Sequence, residues 1–131
     1  MDDDFINIDL QGAIEEAEER RKAIPKAVYH VRIKSVERKL KEGEGKFPYL
    51  DVRMMPLEYP KKTLFLTLSF HPDAIWNMAE FCKKAKIQYS KSGFKFRDLV
   101  GKELRVTVDE EPSNEDPNEM RNTVKPPYHA I

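Results

Sequence analysis

The chain has 131 residues, enough for one domain that would bury about two-thirds of the surface its unfolded form exposes. Its 23 basic and 23 acidic side chains cancel, a sum that argues against a nucleic-acid protein until the positions of the charges are considered. Cys82 stands alone, which excludes a disulfide framework, and no apolar run of about 18 residues is present to cross a membrane.

The charges are segregated. Residues 27–108 hold 17 Lys and Arg against 9 Asp and Glu, whereas residues 109–119 carry six acids and no base. Residues 1–26 are acidic as well, and they lack the basic and apolar regions of a signal peptide. With a lone cysteine, this composition leads us to expect a soluble, cytoplasmic protein.

Residues 1–9 read as an acidic tail with Phe5, Ile6 and Ile8 set into it. Leu10, Ile14, Ala17 and Arg21 follow helical spacing, with acids early and bases late as the helix dipole prefers, and Pro25 ends the pattern. Residues 27–40 (AVYHVRIKSVERKL) alternate strongly. Tyr29, Val31 and Ile33 share one face and His30, Arg32 and Lys34 the other, but past Ser35 the apolar set moves to Val36 and Leu40. Such a change of parity requires one extra residue, the mark of a β-bulge near Lys34 and Ser35.

A glycine-containing hairpin loop follows, then residues 49–57, where Leu50, Val52 and Met54 oppose Tyr49, Asp51 and Arg53 until Pro56 halts the ladder. Residues 63–70 (TLFLTLSF) form the cleanest strand, with Leu64, Leu66, Leu68 and Phe70 in one phase and Phe65, Thr67 and Ser69 in the other. His71, Pro72 and Asp73 open a helix whose inner stripe is Ile75, Met78, Ala79, Cys82 and Ala85, with lysines in its last turn. Trp76 lies off that stripe and is expected in helix packing or the core. Residues 88–97 read as a polar and aromatic connection, 103–108 as a strand, 109–119 as a charged loop, and 121–125 as a short last strand stopped by Pro126 and Pro127.

The order β-β-β-α-β-β, after a short N-terminal helix, predicts a mainly β fold: a five-stranded OB-like Greek-key barrel served by a bent first strand. The expected organisation is an acidic arm over residues 1–26, an OB-like domain over 27–128 and a C-terminal end at 129–131.

Catalytic chemistry is not expected. Gly43, Gly45 and Lys46 lack the remaining positions of a phosphate loop, the three histidines are far apart, and no nucleophile elbow occurs. No metal and no cofactor are anticipated, and Cys82 reads as a small core residue. What remains is the outer sheet face. His30, Arg32 and Lys34 from the first strand, Tyr49 and Arg53 from the second, and Phe65 and Thr67 from the third are all out of phase with the apolar set. Lys39, Lys41, Lys46 and Phe47 flank them at the first hairpin loop. Basic groups beside aromatic rings suit a single strand, phosphates pairing with the cations and unstacked bases with the rings. A solvated face is the plainer account of any one lysine. For Phe65 three neighbours stay open: the N-terminal helix, a partner subunit or a base. A second cluster, Tyr89, Phe94 and Phe96 near Lys91, Lys95 and Arg97, either binds or roofs the barrel.

The element order, together with FRDLVGKELRVTV (residues 96–108), VYHVRIKSVE (28–37) and NTV (122–124), resembles a family of small phage proteins regarded as single-stranded-DNA-binding OB-fold proteins of replication and recombination modules. The resemblance spans roughly residues 5–128 and implies sequence-tolerant binding of single-stranded DNA, with RNA not distinguished and with phage or host replication and recombination proteins as partners. The rival expectation is an OB-fold protein interaction module without direct nucleic-acid binding. Bacterial single-strand binders end in an acidic tip finished with apolar residues, whereas this chain ends Pro-Pro-Tyr-His-Ala-Ile. Oligomeric state is left open.

Overall fold

We describe residues 4–40 and 46–131 of a computed structural model of the chain, without the side chains of residues 19–21. Five long strands form one antiparallel sheet: β1 (Ala27–Lys39), β2 (Tyr49–Pro56), β3 (Leu64–Ser69), β6 (Glu103–Pro112) and β7 (Met120–His129). Their order across the sheet is β3-β2-β1-β6-β7. A two-residue hairpin, β4 (Tyr89–Ser90) with β5 (Gly93–Phe94), and a 3-10 turn at Phe96–Leu99 occupy the stretch expected to be plain connection. The helices are α1 (Leu10–Arg21) and α2 (Ile75–Lys84).

β1 organises the sheet as its sequence requires. Its first half pairs with β6, from Ala27 opposite Val108 to Arg32 opposite Glu103, and its second half pairs with β2. The ladder to β2 passes from Ile33 opposite Met54 to Ser35 opposite Arg53, leaving Lys34 as the extra residue of a bulge. Tyr29, Val31 and Ile33 before it and Val36 after it are therefore all buried. At the bulge Ile33 receives a hydrogen bond from Gly101 N (2.8 Å) and donates one to Lys102 O (2.9 Å), so the Leu-Val-Gly-Lys turn clamps the bend. Gly101 has φ of 85°, a conformation that favours glycine there.

The core is the inner face of these strands plus one side of α2. Leu50, Val52, Met54, Leu64, Leu66, Leu68, Leu104, Val106 and Val108 are buried in the expected phase. Leu40 departs from it, at 74% exposed, because β1 ends at Lys39 and the ladder no longer aims its side chain. In α2 the buried residues are Met78, Phe81 and Cys82, so the inner stripe runs through Phe81, while Ile75 and Ala79 are exposed. The cause is the helix start: residues 72–74 form a turn and the helix begins at Ile75, with the His71 ring nitrogen Nδ1 accepting from Asp73 N. Trp76, expected in packing, is 56% exposed.

Two further elements run past their expected ends. β6 continues through Asp109 to Pro112, inside the stretch read as a charged loop, because Asp109 and Glu111 point outward and meet bases. Lys125 Nζ on β7 lies 2.7 Å from Glu111 and 3.5 Å from Asp109. β7 likewise continues through the cis Pro126-Pro127 pair to His129: the ladder jumps from Val106 opposite Tyr128 to Thr107 opposite Lys125, and both prolines sit in the bulge. Tyr128 beyond them is buried edge-on against Phe81 and donates to Asn77 Oδ1 at 2.7 Å.

The sheet is not closed into a barrel by hydrogen bonds. β3 and β7 are its two edges, and a cavity of about 510 Å³ lies between them, lined by Thr63 to Thr67 and Arg121 to Val124. α1 forms as expected, with Asp9 Oδ1 accepting from Gly12 N at 2.8 Å in the N-cap position, but Leu10 and Ile14 are exposed. Its connection to the sheet is tighter: Ile24 is a core residue, and its backbone N–H and C=O both bond the side chain of Asn122.

Candidate nucleic-acid interface

The alternation of β1, β2 and β3 places His30, Arg32, Tyr49, Arg53, Phe65 and Thr67 opposite the core-facing side chains, and the register brings most of them together. Arg53 pairs directly with Phe65, Tyr49 with both Lys39 and Ser69, and Thr67 with Asp51. Lys34 projects from the bulge beside this set and is exposed. Lys46 is exposed at the start of the loop's return, and Lys41 lies outside the described residues.

The same register supplies acids beside the expected cations. Glu103 on β6 stands opposite Arg32, and its carboxylate meets His30 Nε2 at 2.6 Å and Arg32 Nη2 at 3.2 Å. These contacts, the His30 hydrogen bond first and Arg32 next, hold the Glu103 carboxyl below the usual carboxylate range. Lys39 meets Glu37 at 2.8 Å, and the hydrogen bond between them lowers the Glu37 carboxyl and raises the Lys39 ammonium. Arg53 lies 3.6 Å from Asp51. Strand alternation alone does not reveal Glu103, which meets His30 and Arg32 only through the β1–β6 register, whereas Glu37 and Asp51 stand two residues from Lys39 and Arg53 on the same strand and so share their face.

All these pairs are solvent-facing, and exposed ion pairs contribute little net stability, so a phosphate can displace the carboxylate at small cost. Arg53 has a second role. Its guanidinium lies over Phe65, 5.3 Å from the ring centroid, while Phe65 stays 58% exposed. The ring thus has a cation as its neighbour on the sheet and a large open area beyond it. Among the described residues, no acid pairs with Lys34.

Phe47 lies with residues at the end of β3. Its ring packs edge-on against His71, 4.7 Å between centroids, and beside them Arg38 lies 5.5 Å from the Phe70 centroid. Arg38, Phe70 and His71 therefore join Phe47 in an aromatic and basic cluster at the end of β1 and β3. Arg38 is in the phase of the core, opposite Leu50, which is why alternation hides it as a surface cation. Of the second expected cluster, Phe94 and Phe96 pack on the core and roof it, with Arg97 5.4 Å from the Phe96 centroid, whereas Tyr89 stays open to solvent.

Among the described residues, no group of three or more His, Cys, Asp or Glu is placed to hold a metal ion. Among them, too, no helix is long and apolar enough to cross a membrane. No family model matches the chain, and a search among curated proteins finds no match.

Proposed function

We propose that this chain is an OB-like protein that binds single-stranded DNA with little sequence preference, in phage replication or recombination. The observation that carries the reading is Phe65, an exposed ring on a sheet face, braced by Arg53 opposite it, with Tyr49 farther along β2 and Lys34 exposed at the bulge of β1. A ring in that setting offers a stacking surface to any base, worth about 1–3 kcal/mol, while nearby cations track phosphates. The strand order β3-β2-β1-β6-β7, with α2 between the third and the next long strand, supports the OB-like assignment. The phage setting rests on the resemblance of residues 28–37, 96–108 and 122–124.

Fluorescence anisotropy of a labelled oligothymidine, titrated at two salt concentrations and repeated with duplex competitor, tests the reading. Saturable binding that weakens with salt and survives duplex is expected. An unchanged signal at low salt would reject it. The second reading, a protein interaction module, is favoured by the pairing of Arg32, Lys39 and Arg53 with Glu103, Glu37 and Asp51, which lowers the net positive charge of the face.

A further inference from the structure

The two edges of the sheet, β3 and β7, face each other across a seam. Among the described residues no backbone hydrogen bond joins them, yet their Cα atoms come within 8 Å. Paired strands stand about 4.8 Å apart, so a third strand between these edges would need about 9.6 Å. The seam as it stands does not admit a peptide strand. One end is also occupied. Lys62, just before β3, donates from Nζ to Lys22 O at 3.1 Å, and Asn122 on β7 bonds both backbone groups of Ile24, so residues 22–24 bridge the edges there.

What the seam offers is a row of backbone N–H and C=O groups on each edge with no strand to pair them. The cavity along it, about 510 Å³, has the size of a small-ligand site. Phe65 is one of its walls: Arg53 reaches the ring from β2, and the seam lies on the other side of β3. The described residues that line the cavity include two bases, Lys62 and Arg121, and no acid. The carboxylate paired with Arg121 is Glu111, at 3.8 Å, and Lys125 holds that same carboxylate at 2.7 Å. An anionic ligand with a flat face and a polar edge suits this lining, and a nucleotide has all three.

We propose that the seam is a nucleotide subsite, an inference that rests on the single-strand reading. The base stacked on Phe65 takes the seam side of the ring, its polar edge meets unpaired backbone groups of β3 and β7, and its phosphate lies against Arg121. A stacked base adds only about 3.4 Å of thickness, so it enters from the solvent side without spreading the edges. Backbone donors and acceptors occur on both edges and suit any base, in keeping with little sequence preference.

The test uses the full chain and an oligothymidine carrying 4-thiothymidine, which cross-links to adjoining residues under near-ultraviolet light. Peptide mapping is expected to place cross-links on residues 63–67 and also on residues 121–124. In parallel, Arg121→Ala should lower the slope of log affinity against log salt by about 0.7, one phosphate contact on a single strand. Glu111 keeps Lys125 in that variant, and circular dichroism checks its fold. Saturable binding with no cross-link on β7, or with an unchanged slope in Arg121→Ala, would overturn the subsite and leave the single-strand reading standing. Absence of any binding at low salt would remove both. Amide exchange in β3 and β7 that slows with protein concentration, without oligonucleotide, would give the seam to a second copy and overturn the subsite as well.

Discussion

The guanidinium of Arg53 lies over the ring of Phe65, and the two residues stand directly opposite each other in the β2–β3 ladder. An exposed cation–π contact of this kind contributes about 0.5–1 kcal/mol and fixes the ring on the sheet without covering it. It also couples the two modes of contact expected for a single strand, since one residue supplies charge and the other a stacking surface.

The coupling is measurable. Phe65→Leu should weaken oligothymidine binding by about 1 kcal/mol or more with little change in salt dependence, because stacking is barely screened. Arg53→Ala should lower the slope of log affinity against log salt by about 0.7, one phosphate contact on a single strand. With the brace removed, the two losses should add to less than their sum in the double variant. Full affinity and slope in both single variants would remove this face as the binding site.

Glu103 restrains two of the expected cations, so Glu103→Gln should strengthen binding and not weaken it. Arg32 is then free for a phosphate, and the salt slope should steepen by about 0.7. Acid acts in the same direction. The folded-state carboxyl titrates below its ordinary range, so the pair's contribution to stability is intact above that range and disappears as pH falls through the lowered value. Oligonucleotide titrations of parent and variant should therefore converge at low pH. A Gln variant that binds more weakly would show that Glu103 positions His30 and Arg32 for the ligand.

Much of this fold is legible in the sequence because its period is local. Tyr29, Val31, Ile33 and then Val36 announce both a strand and its bulge, and the ladder registers at Lys34. What local period does not carry is the identity of cross-strand neighbours. Glu103 is 71 residues from Arg32, and only the β1–β6 register joins them. Composition misled at Asp109 and Glu111, whose charges suit a loop until Lys125 and Arg121 on the facing strand pair with them. In α2 the expected stripe holds at Met78, Cys82 and Ala85, while Phe81 joins it and Ile75, in the first turn of a helix that starts only after the turn at residues 72–74, stays exposed with Ala79.

Cys82 offers a chemical test of that helix phase. It is buried, and burial pushes its thiol up to about 11, well above the ordinary value of about 8.5. Native protein at mildly alkaline pH should react with a thiol reagent at least about a hundredfold more slowly than protein in denaturant. Comparable rates would mean that the side of α2 carrying Met78, Phe81 and Cys82 is open to solvent.

The bulge at Lys34 reconciles two phases of β1, so deleting that residue and altering it test different things. Without Lys34 the strand can pair as a regular ladder: Ile33 stays opposite Met54, Ser35 opposite Arg53 and Val36 opposite Val52, and Tyr29, Val31, Ile33 and Val36 all still face the core. What the deletion removes is the local bend and its added twist, at the point where Ile33 is hydrogen-bonded to Gly101 and Lys102. The variant should therefore still fold cooperatively, at a cost of about 0.5–3 kcal/mol. Lys34→Ala keeps the extra residue and removes only an exposed side chain, so its stability should stay within about 0.5 kcal/mol of the parent. Urea denaturation separates the two variants: a midpoint near that of the parent for Lys34→Ala, and a lower but cooperative one for the deletion. On oligothymidine the alanine variant should lower the salt slope by about 0.7 while remaining fully folded. A deletion variant with no cooperative transition would show that the sheet needs the bend itself and not only the phase that the bulge reconciles.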